Sequence, residues 1–450
     1  MTWLLAHGIG GIRDLPVPRY VFFYGAAGVL AISFAALAFL WRRPVLEERA
    51  AGRPLPQGLQ RLLLSPVLHT ALGALSFALL VFLWLGTLVG KDNSGVNFTP
   101  TFIYVYFWIA LPLFTAALGN FWSLLSPWKA AAEGVGRLAR REAPPFEYPE
   151  RLGRWPATVL LLSFVTLELT YPNPSDPHVL ALAIGFYSVL TWTGAAMFGN
   201  EVWWGNGDGF SVYFMLLGRI SPFARREEDG RLVVRTPFSG LSISDPTPGM
   251  IAFVAVMLGS TFFDGFSRTS IWQNRYYNVQ VDLLDRPGLA DLVGQLMSVG
   301  GLLAAVAFIA LAFRLAVRGT ESIAERGNLA QEFVDSLIPI TLVYVIAHYF
   351  SLLLYQGEVG VKLLSDPWGK GWDLFGTHDF QPNFTFLTPH TIWYVQVAAL
   401  VTGHIAGLAI AHDRAVGLFR TARMALWTQY PMLVLMVLYT VGGLWVLSQG

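Results

Sequence analysis

Histidine and carboxylate side chains gather in one polar stretch near the C-terminal end of the chain. The segment GTHDF contains His378 and Asp379, and His390 follows it. Imidazole and carboxylate groups are ligands of zinc, manganese and iron, and a catalytic metal site keeps a position open for water. His7 and His178, predicted on the same face of the membrane, would complete the set. The sequence therefore predicts a divalent metal site, although the spacing matches no fixed motif such as HExxH.

Two carboxylates lie inside apolar runs. Glu168 is in VTLELTYP and Asp264 is in STFFDGFSRT, and a membrane tolerates an ionised carboxylate only when it is paired or hydrated. Arg268 follows Asp264 by one helical turn, so the two side chains could form an ion pair within one helix. This structural role and a catalytic role explain the pair equally well. Glu168 has no basic neighbour at helical spacing, so its partner must be another helix or an ion. Glu168, Asp264 and Arg268 are the candidate catalytic residues.

Two further histidines lie deep inside apolar runs. A rise of ~1.5 Å per residue puts His348 and His404 roughly 10 Å apart in depth, too far to share one ion. A proton relay or two separate hydrogen bonds fits this spacing better. A haem held by paired histidines is less favoured, because no second pair at matching depths is visible.

The elements that position these residues are long apolar runs. Hydrophobic residues make up 54% of the 450 residues and charged residues only 13%, about half the charged share of a soluble domain. A helix needs roughly 20 residues to cross a bilayer. Lipid offers the backbone no hydrogen bonds, so the sequence predicts an all-α bundle of about ten transmembrane helices, forming a single domain over residues 1–450. The predicted spans are residues 20–40, 67–90, 101–128, 155–171, 178–200, 250–267, 292–313, 337–357, 389–411 and 431–449.

Lysine and arginine are divided unequally between the connections. One set carries 22 of the 30 basic residues and comprises residues 42–61, 129–154, 219–235, 314–326 and 414–423. The positive-inside rule places this set in the cytoplasm, so both termini lie on the extracytoplasmic side. Residues 207–225 contain an apolar stretch too short to span and end in a basic cluster, which predicts a cytoplasmic interfacial helix.

Composition and missing motifs exclude several classes of protein. A net charge of +1 gives no basic field for binding nucleic acid. The absence of cysteine excludes disulfides, zinc fingers, cysteine-ligated clusters and cysteine nucleophiles. Dinucleotide-binding, phosphate-binding-loop and serine-hydrolase motifs are missing as well. An ATP-driven pump is therefore not expected unless a partner supplies the ATPase.

Several segments are shared with a known family. AHGIGGIRDLPVP, LELTYPNPSDP, STFFDGFSRT, IWYVQVAALVTGHIAGLAIAHDRA and YTVGGLWVLS resemble bacterial integral membrane proteins called fenitrothion hydrolase-like. The resemblance covers most of the chain and implies a bacterial inner-membrane enzyme that hydrolyses organophosphorus triesters. Metal ions held by histidine and carboxylate could activate the water that this reaction needs, with Arg268 as a phosphoryl partner.

Three functions stay open. The first is a metal-dependent hydrolase acting on a small apolar ester at the extracytoplasmic face. The second is an ion- or proton-coupled transporter that uses Glu168, Asp264, His348 and His404 as a buried polar path. The third is a membrane subunit of a redox complex, with other membrane subunits as partners. Each reading places the chain in a lipid bilayer.

Overall fold

The computed structural model describes residues 18–138 and 143–449, so the predicted metal ligand His7 lies outside the described residues. The described chain is a bundle of α-helices, with two π-helices (Phe102–Ala110, Trp203–Gly207) and three 3-10 helices (Glu150–Leu152, Ser239–Leu241, Val334–Leu337). The α-helices are α1 (Arg19–Leu40), α2 (Val45–Glu48), α3 (Gln57–Leu63), α4 (Pro66–Val89), α5 (Phe98–Thr101), α6 (Leu111–Leu118), α7 (Trp122–Leu125), α8 (Pro127–Leu138), α9 (Trp155–Thr170), α10 (Pro177–Phe198), α11 (Asn200–Val202), α12 (Gly209–Gly218), α13 (Met250–Phe266), α14 (Ser270–Asp282), α15 (Pro287–Ala324), α16 (Ala330–Phe333), α17 (Ile338–Leu363), α18 (Pro389–Leu418), α19 (Ala422–Trp427) and α20 (Tyr430–Leu447).

One small sheet accompanies the helices. Strands β1 (Arg53–Pro54), β2 (Phe223–Arg225) and β3 (Leu232–Val234) lie in the order β1-β3-β2, and both pairs are antiparallel. The sheet joins the connection between α2 and α3 to the connection between α12 and α13. Apart from this sheet, the described chain has the predicted all-α architecture.

Long apolar helices dominate the bundle. Nine stretches of the described chain are long and apolar enough to cross a membrane, and the bent pair α13 and α14 would make a tenth. The two helices of that pair meet at an angle of 72°. Most of the predicted spans lie on these helices, but the one predicted at residues 101–128 is wrong at its end, because its helix ends at Leu118 and short helices α7 and α8 follow. Helix α15 continues well beyond its predicted span to a length of 38 residues. The main outline of the prediction, a multi-pass helical membrane protein, is therefore confirmed.

The segment predicted as an interfacial helix, residues 207–225, differs from that expectation. Its helical part is α12, in which every residue except Met215 is buried. Its end, Phe223–Arg225, is strand β2. A helix lying on a membrane surface leaves one face to the lipid, whereas α12 packs against α6, α9 and the π-helix Trp203–Gly207.

Helix α13 lies at the centre of the bundle and carries Asp264. It packs against α9, α15, α17 and α20, and most of its side chains are buried. Small residues allow this close approach: a Cβ added at Gly259 would lie only 2.6 Å from the Cα of Val306 on α15. The tight packing fixes the last turn of α13, where Asp264 lies.

Two ion pairs hold the connection between α12 and α13. Arg154 pairs with Asp245, and the Arg219 guanidinium lies 2.9 Å from the Asp335 carboxylate. Burial alone would raise the pKa of Asp245, but the Arg154 charge and the Thr247 hydroxyl outweigh it, so this pKa is lowered from its usual value. The Asp245 carboxylate therefore keeps its charge and its pair at neutral pH.

Candidate functional site

Asp264 is the centre of a polar cluster inside the helix bundle. Its side chain is only 3% exposed. Arg268 Nη2 lies 3.1 Å from Oδ1, while His348 Nε2 and the Tyr349 hydroxyl each lie 2.7 Å from Oδ2. These groups compensate a charge that apolar surroundings would otherwise disfavour. The structure thus joins two of the predicted catalytic residues to one of the two intramembrane histidines.

The local helix geometry explains these contacts. Asp264 lies in the last turn of α13, and Arg268 follows four residues later in the turn that ends the helix, so the two side chains meet on the same side. His348 and Tyr349 are consecutive residues of α17, which packs against α13. Their rings are almost perpendicular, with centroids 4.7 Å apart, and this arrangement lets both side chains reach the same carboxylate oxygen.

Glu168 lies next to this cluster on α9. Its carboxylate accepts a hydrogen bond from the Trp108 indole and interacts electrostatically with Asp264. Glu168 and Trp108 line a small cavity, with about 10 Å³ for the centre of a water molecule, which is room for about one water. Tyr349 also lines this cavity and hydrogen-bonds to Asp264. Tyr349 therefore connects the cavity with the Asp264 cluster.

The walls of the small cavity are rich in hydroxyl groups. Ser260 and Thr261 of α13, Thr341 of α17 and Tyr213 of α12 line it. Hydroxyl oxygens keep acceptor lone pairs after their protons are donated, so they can solvate a proton carrier or a small cation. Glu168 and Asp264 supply two carboxylates, whereas Arg268 supplies one permanent positive charge. With both carboxylates ionised and His348 neutral, the side chains of Glu168, Asp264 and Arg268 together carry a net charge of −1.

His404, the other predicted intramembrane histidine, lies apart from this arrangement. It is fully buried on α18, and its Nδ1 lies 2.8 Å from the Leu400 carbonyl of the same helix. The Tyr344 ring lies 6.2 Å away, and among the described residues Nε2 has no hydrogen-bond partner. Of the two alternatives predicted from the depths of His348 and His404, a proton relay or separate hydrogen bonds, the contacts of His404 fit separate hydrogen bonds.

The predicted metal ligands that the structure describes do not form one group. His178 lies with Asp92 and Asp176, and one ligand atom from each lies within 4.8 Å of the others. This is the one such group of three in the part of the chain that the structure describes. Asp176 also caps α10, because its Oδ1 accepts a 2.8 Å hydrogen bond from the His178 amide. The two aspartates were not predicted.

The other metal candidates form no comparable group. His378 Nδ1 lies 3.3 Å from Oδ1 of Asp379, and both side chains are exposed. His390 is exposed at the start of α18. With His7 outside the described residues, the metal site proposed from the sequence stays a prediction.

Comparison with known proteins adds no assignment. No family model, curated protein or solved structure matches this chain. The resemblance to fenitrothion hydrolase-like proteins stays a prediction for the same reason. Any functional conclusion rests on the geometry of the chain itself.

Sequence reasoning missed three residues of the site. Tyr349 follows His348 directly, and a hydroxyl beside an intramembrane histidine is a signal that could have been read. Trp108 and Tyr213 lie in runs rich in aromatic residues, where nothing in the sequence separates a hydrogen-bonding ring from a packing ring. Only the three-dimensional arrangement identifies their contacts with the small cavity.

Proposed function

We propose that this chain is a proton-coupled membrane transporter whose proton site is formed by Glu168 and the Asp264 cluster. The observation that supports it most directly is the setting of Asp264, which contacts Arg268, His348 and Tyr349 beside a water-sized cavity lined by Glu168. Ionisable residues inside a membrane bundle commonly mark proton or ion pathways.

Charge balance explains why one proton would matter. When Glu168 and Asp264 are both ionised, Arg268 neutralises only one of them. Binding one proton, at Glu168 or at His348, makes the whole group neutral. A buried group with no net charge is far less costly in an apolar setting than one with an unpaired charge. Proton loading would therefore shift the bundle between two conformations of different stability.

Replacing Glu168 by Gln is the direct test. Glutamine cannot ionise, so the remaining Asp264 and Arg268 charges already balance without a proton. We expect the infrared difference spectrum of the wild-type protein, taken as the pH is lowered, to show the carbonyl band of a carboxyl group that takes up a proton. The Glu168→Gln variant should lose this band. Infrared difference spectroscopy of reconstituted membranes measures it.

The matched control for this test is Glu201→Gln, which changes an exposed carboxylate on α11. It should leave the titrating band unchanged. A band of equal intensity in the Glu168→Gln protein would place the protonated group elsewhere and contradict the proposed site.

A metal-dependent hydrolase is the second candidate, and the group of Asp92, Asp176 and His178 is the observation that favours it. Two carboxylates and an imidazole fit zinc or manganese and leave positions for water. We expect His178→Ala to lower the manganese content of protein equilibrated with the ion, as measured by elemental analysis. His69→Ala, at a histidine bonded to the Leu63 carbonyl, is the matched control. Equal metal content in the two variants would remove this candidate.

A further inference from the structure

A second and much larger cavity shares the π-helix Phe102–Ala110, α9 and α12 with the small one. Its volume is about 630 Å³, within the range of sites for drug-sized ligands. Its walls come mainly from α4, α9, α10 and the helix formed by Phe102–Ala110 and α6. All four are among the stretches able to cross a membrane. Several residues that line it, including Leu75, Phe114 and Phe186, are more than half exposed, so the cavity opens toward the lipid.

Hydrogen bonds already occupy the hydroxyl groups in these walls. Ser76 donates to the Gly73 carbonyl at 3.0 Å, and Ser163 donates to the Val159 carbonyl at 2.8 Å.

The hydroxyl groups of the two tyrosines that line the cavity also donate hydrogen bonds within the protein. Tyr106 donates to the Gly357 carbonyl at 2.7 Å, and Tyr187 donates to Asp208 Oδ2 at 2.6 Å. The indole nitrogen of Trp128 donates to Ser188, whereas that of Trp122 is buried and has no hydrogen-bond partner among the described residues. A ligand would therefore find few donors, so recognition must rest on apolar contact.

Aromatic rings form an unusually large part of the lining. Ten of the 28 lining residues are Phe, Tyr or Trp, against 14% aromatic residues in the whole chain. The rings meet around Phe210, whose centroid lies 4.8 Å from Phe107, 4.9 Å from Tyr187 and 5.1 Å from Phe164. Rings attract other rings in edge-to-face and offset arrangements, beyond the effect of burial. A ring-bearing ligand uses this lining better than a saturated chain does.

We propose that this cavity binds an apolar, ring-bearing molecule that enters from the bilayer, and that this molecule is the transported cargo. The second part rests on the proposed function, whereas the binding itself does not.

The cavity and the proton site are separated by one layer of rings. Phe164 lines the apolar cavity, and its ring lies 4.7 Å from Trp108. Trp108 stacks on Tyr213 at 5.0 Å and donates its indole proton to Glu168. A ligand that displaces Phe164 would therefore disturb the hydrogen bond on Glu168. This contact supplies a physical route between cargo and proton.

Photolabelling of the full chain in lipid nanodiscs tests the binding. The probe is a phenyl diazirine, an apolar ring compound that forms a carbene on illumination, and mass spectrometry locates the label. We expect labelling of the cavity residues to saturate with probe concentration. Excess naphthalene should compete for it, whereas hexadecane should not. Labelling of lipid-facing residues should instead rise in proportion to the probe.

Filling the cavity should remove the saturable component. Ala183→Phe places a ring inside it, and Ser163→Phe is a second filling variant at an exposed lining position should the first fail to fold. Ala35→Phe adds the same ring to an exposed position of α1 outside the cavity and should keep saturable labelling.

Two outcomes would overturn the proposal. Labelling that never saturates, and that the filling variants leave unchanged, means that bilayer chains alone occupy the space. Competition by hexadecane as strong as that by naphthalene means that the site takes a saturated chain. The labelling reports on the apolar cavity alone, so a failed infrared test of the proton site would leave this result intact.

Discussion

A pH jump is expected to produce a transient current across membranes containing the wild-type protein, and the Asp264→Asn variant is expected to lose this current. Asparagine keeps the shape of the side chain but removes the charge that Arg268 and His348 share. Glu168 and Arg268 then balance each other, so the cluster is neutral without binding a proton. Proteoliposomes adsorbed on a solid-supported electrode record charge displaced by proton binding and need no identified cargo.

The matched control is Asp282→Asn, at an exposed aspartate at the end of α14. Its pH-jump current should equal that of the wild type. Arg268→Ala should have a different effect, because it leaves two carboxylates with no permanent cation, so the cluster then needs two protons rather than one to become neutral. An undiminished current in Asp264→Asn would disprove the role given to this cluster.

Replacing Asp208 by Ala is expected to cost about 3 kcal/mol of stability, because it leaves several buried donors without an acceptor. The carboxylate is 1% exposed. Oδ2 accepts from the Tyr187 hydroxyl at 2.6 Å and the Thr191 hydroxyl at 2.7 Å, while Oδ1 accepts the Ser211 amide at 2.8 Å and caps α12. Tryptophan fluorescence during unfolding in denaturing detergent measures the loss.

Two variants make this stability prediction specific. Asp208→Asn keeps an acceptor for the α12 cap and should lose less stability than Asp208→Ala. Asp285→Asn, at an exposed position before α15, should unfold like the wild type. If Asp208→Ala unfolds at the same detergent concentration as Asp285→Asn, the carboxylate does not stabilise α12.

The helices and the acidic part of the site were predictable because each depends on local sequence. Apolar runs of sufficient length predict spans directly. A carboxylate inside such a run is a candidate functional residue because burying its charge in a membrane is energetically unfavourable. The contact between Asp264 and Arg268 follows from their spacing, and it is present. The proton-site candidates Glu168 and Asp264 therefore needed no knowledge of the fold.

Contacts between distant segments were not predictable. Whether His348 faces Asp264 depends on the rotation of α17 against α13. The sequence of either helix taken alone does not determine this rotation. Asp92 reaches His178 for the same long-range reason. The apolar residues of α12 suit a membrane surface and a protein core equally well, so their burial could not be read from composition.

The π-helix Phe102–Ala110 serves two chambers at once. Its residue Trp108 borders the small polar cavity, while Phe102, Tyr106 and Phe107 border the large apolar one. A π-helix bonds each amide to the carbonyl five residues back, one more than an α-helix. Rewinding this segment to α geometry would change its register and rotate its two faces together. The indole would then leave Glu168 in the same step that changes the shape of the large apolar cavity. A change in this one helical segment would therefore couple the two cavities.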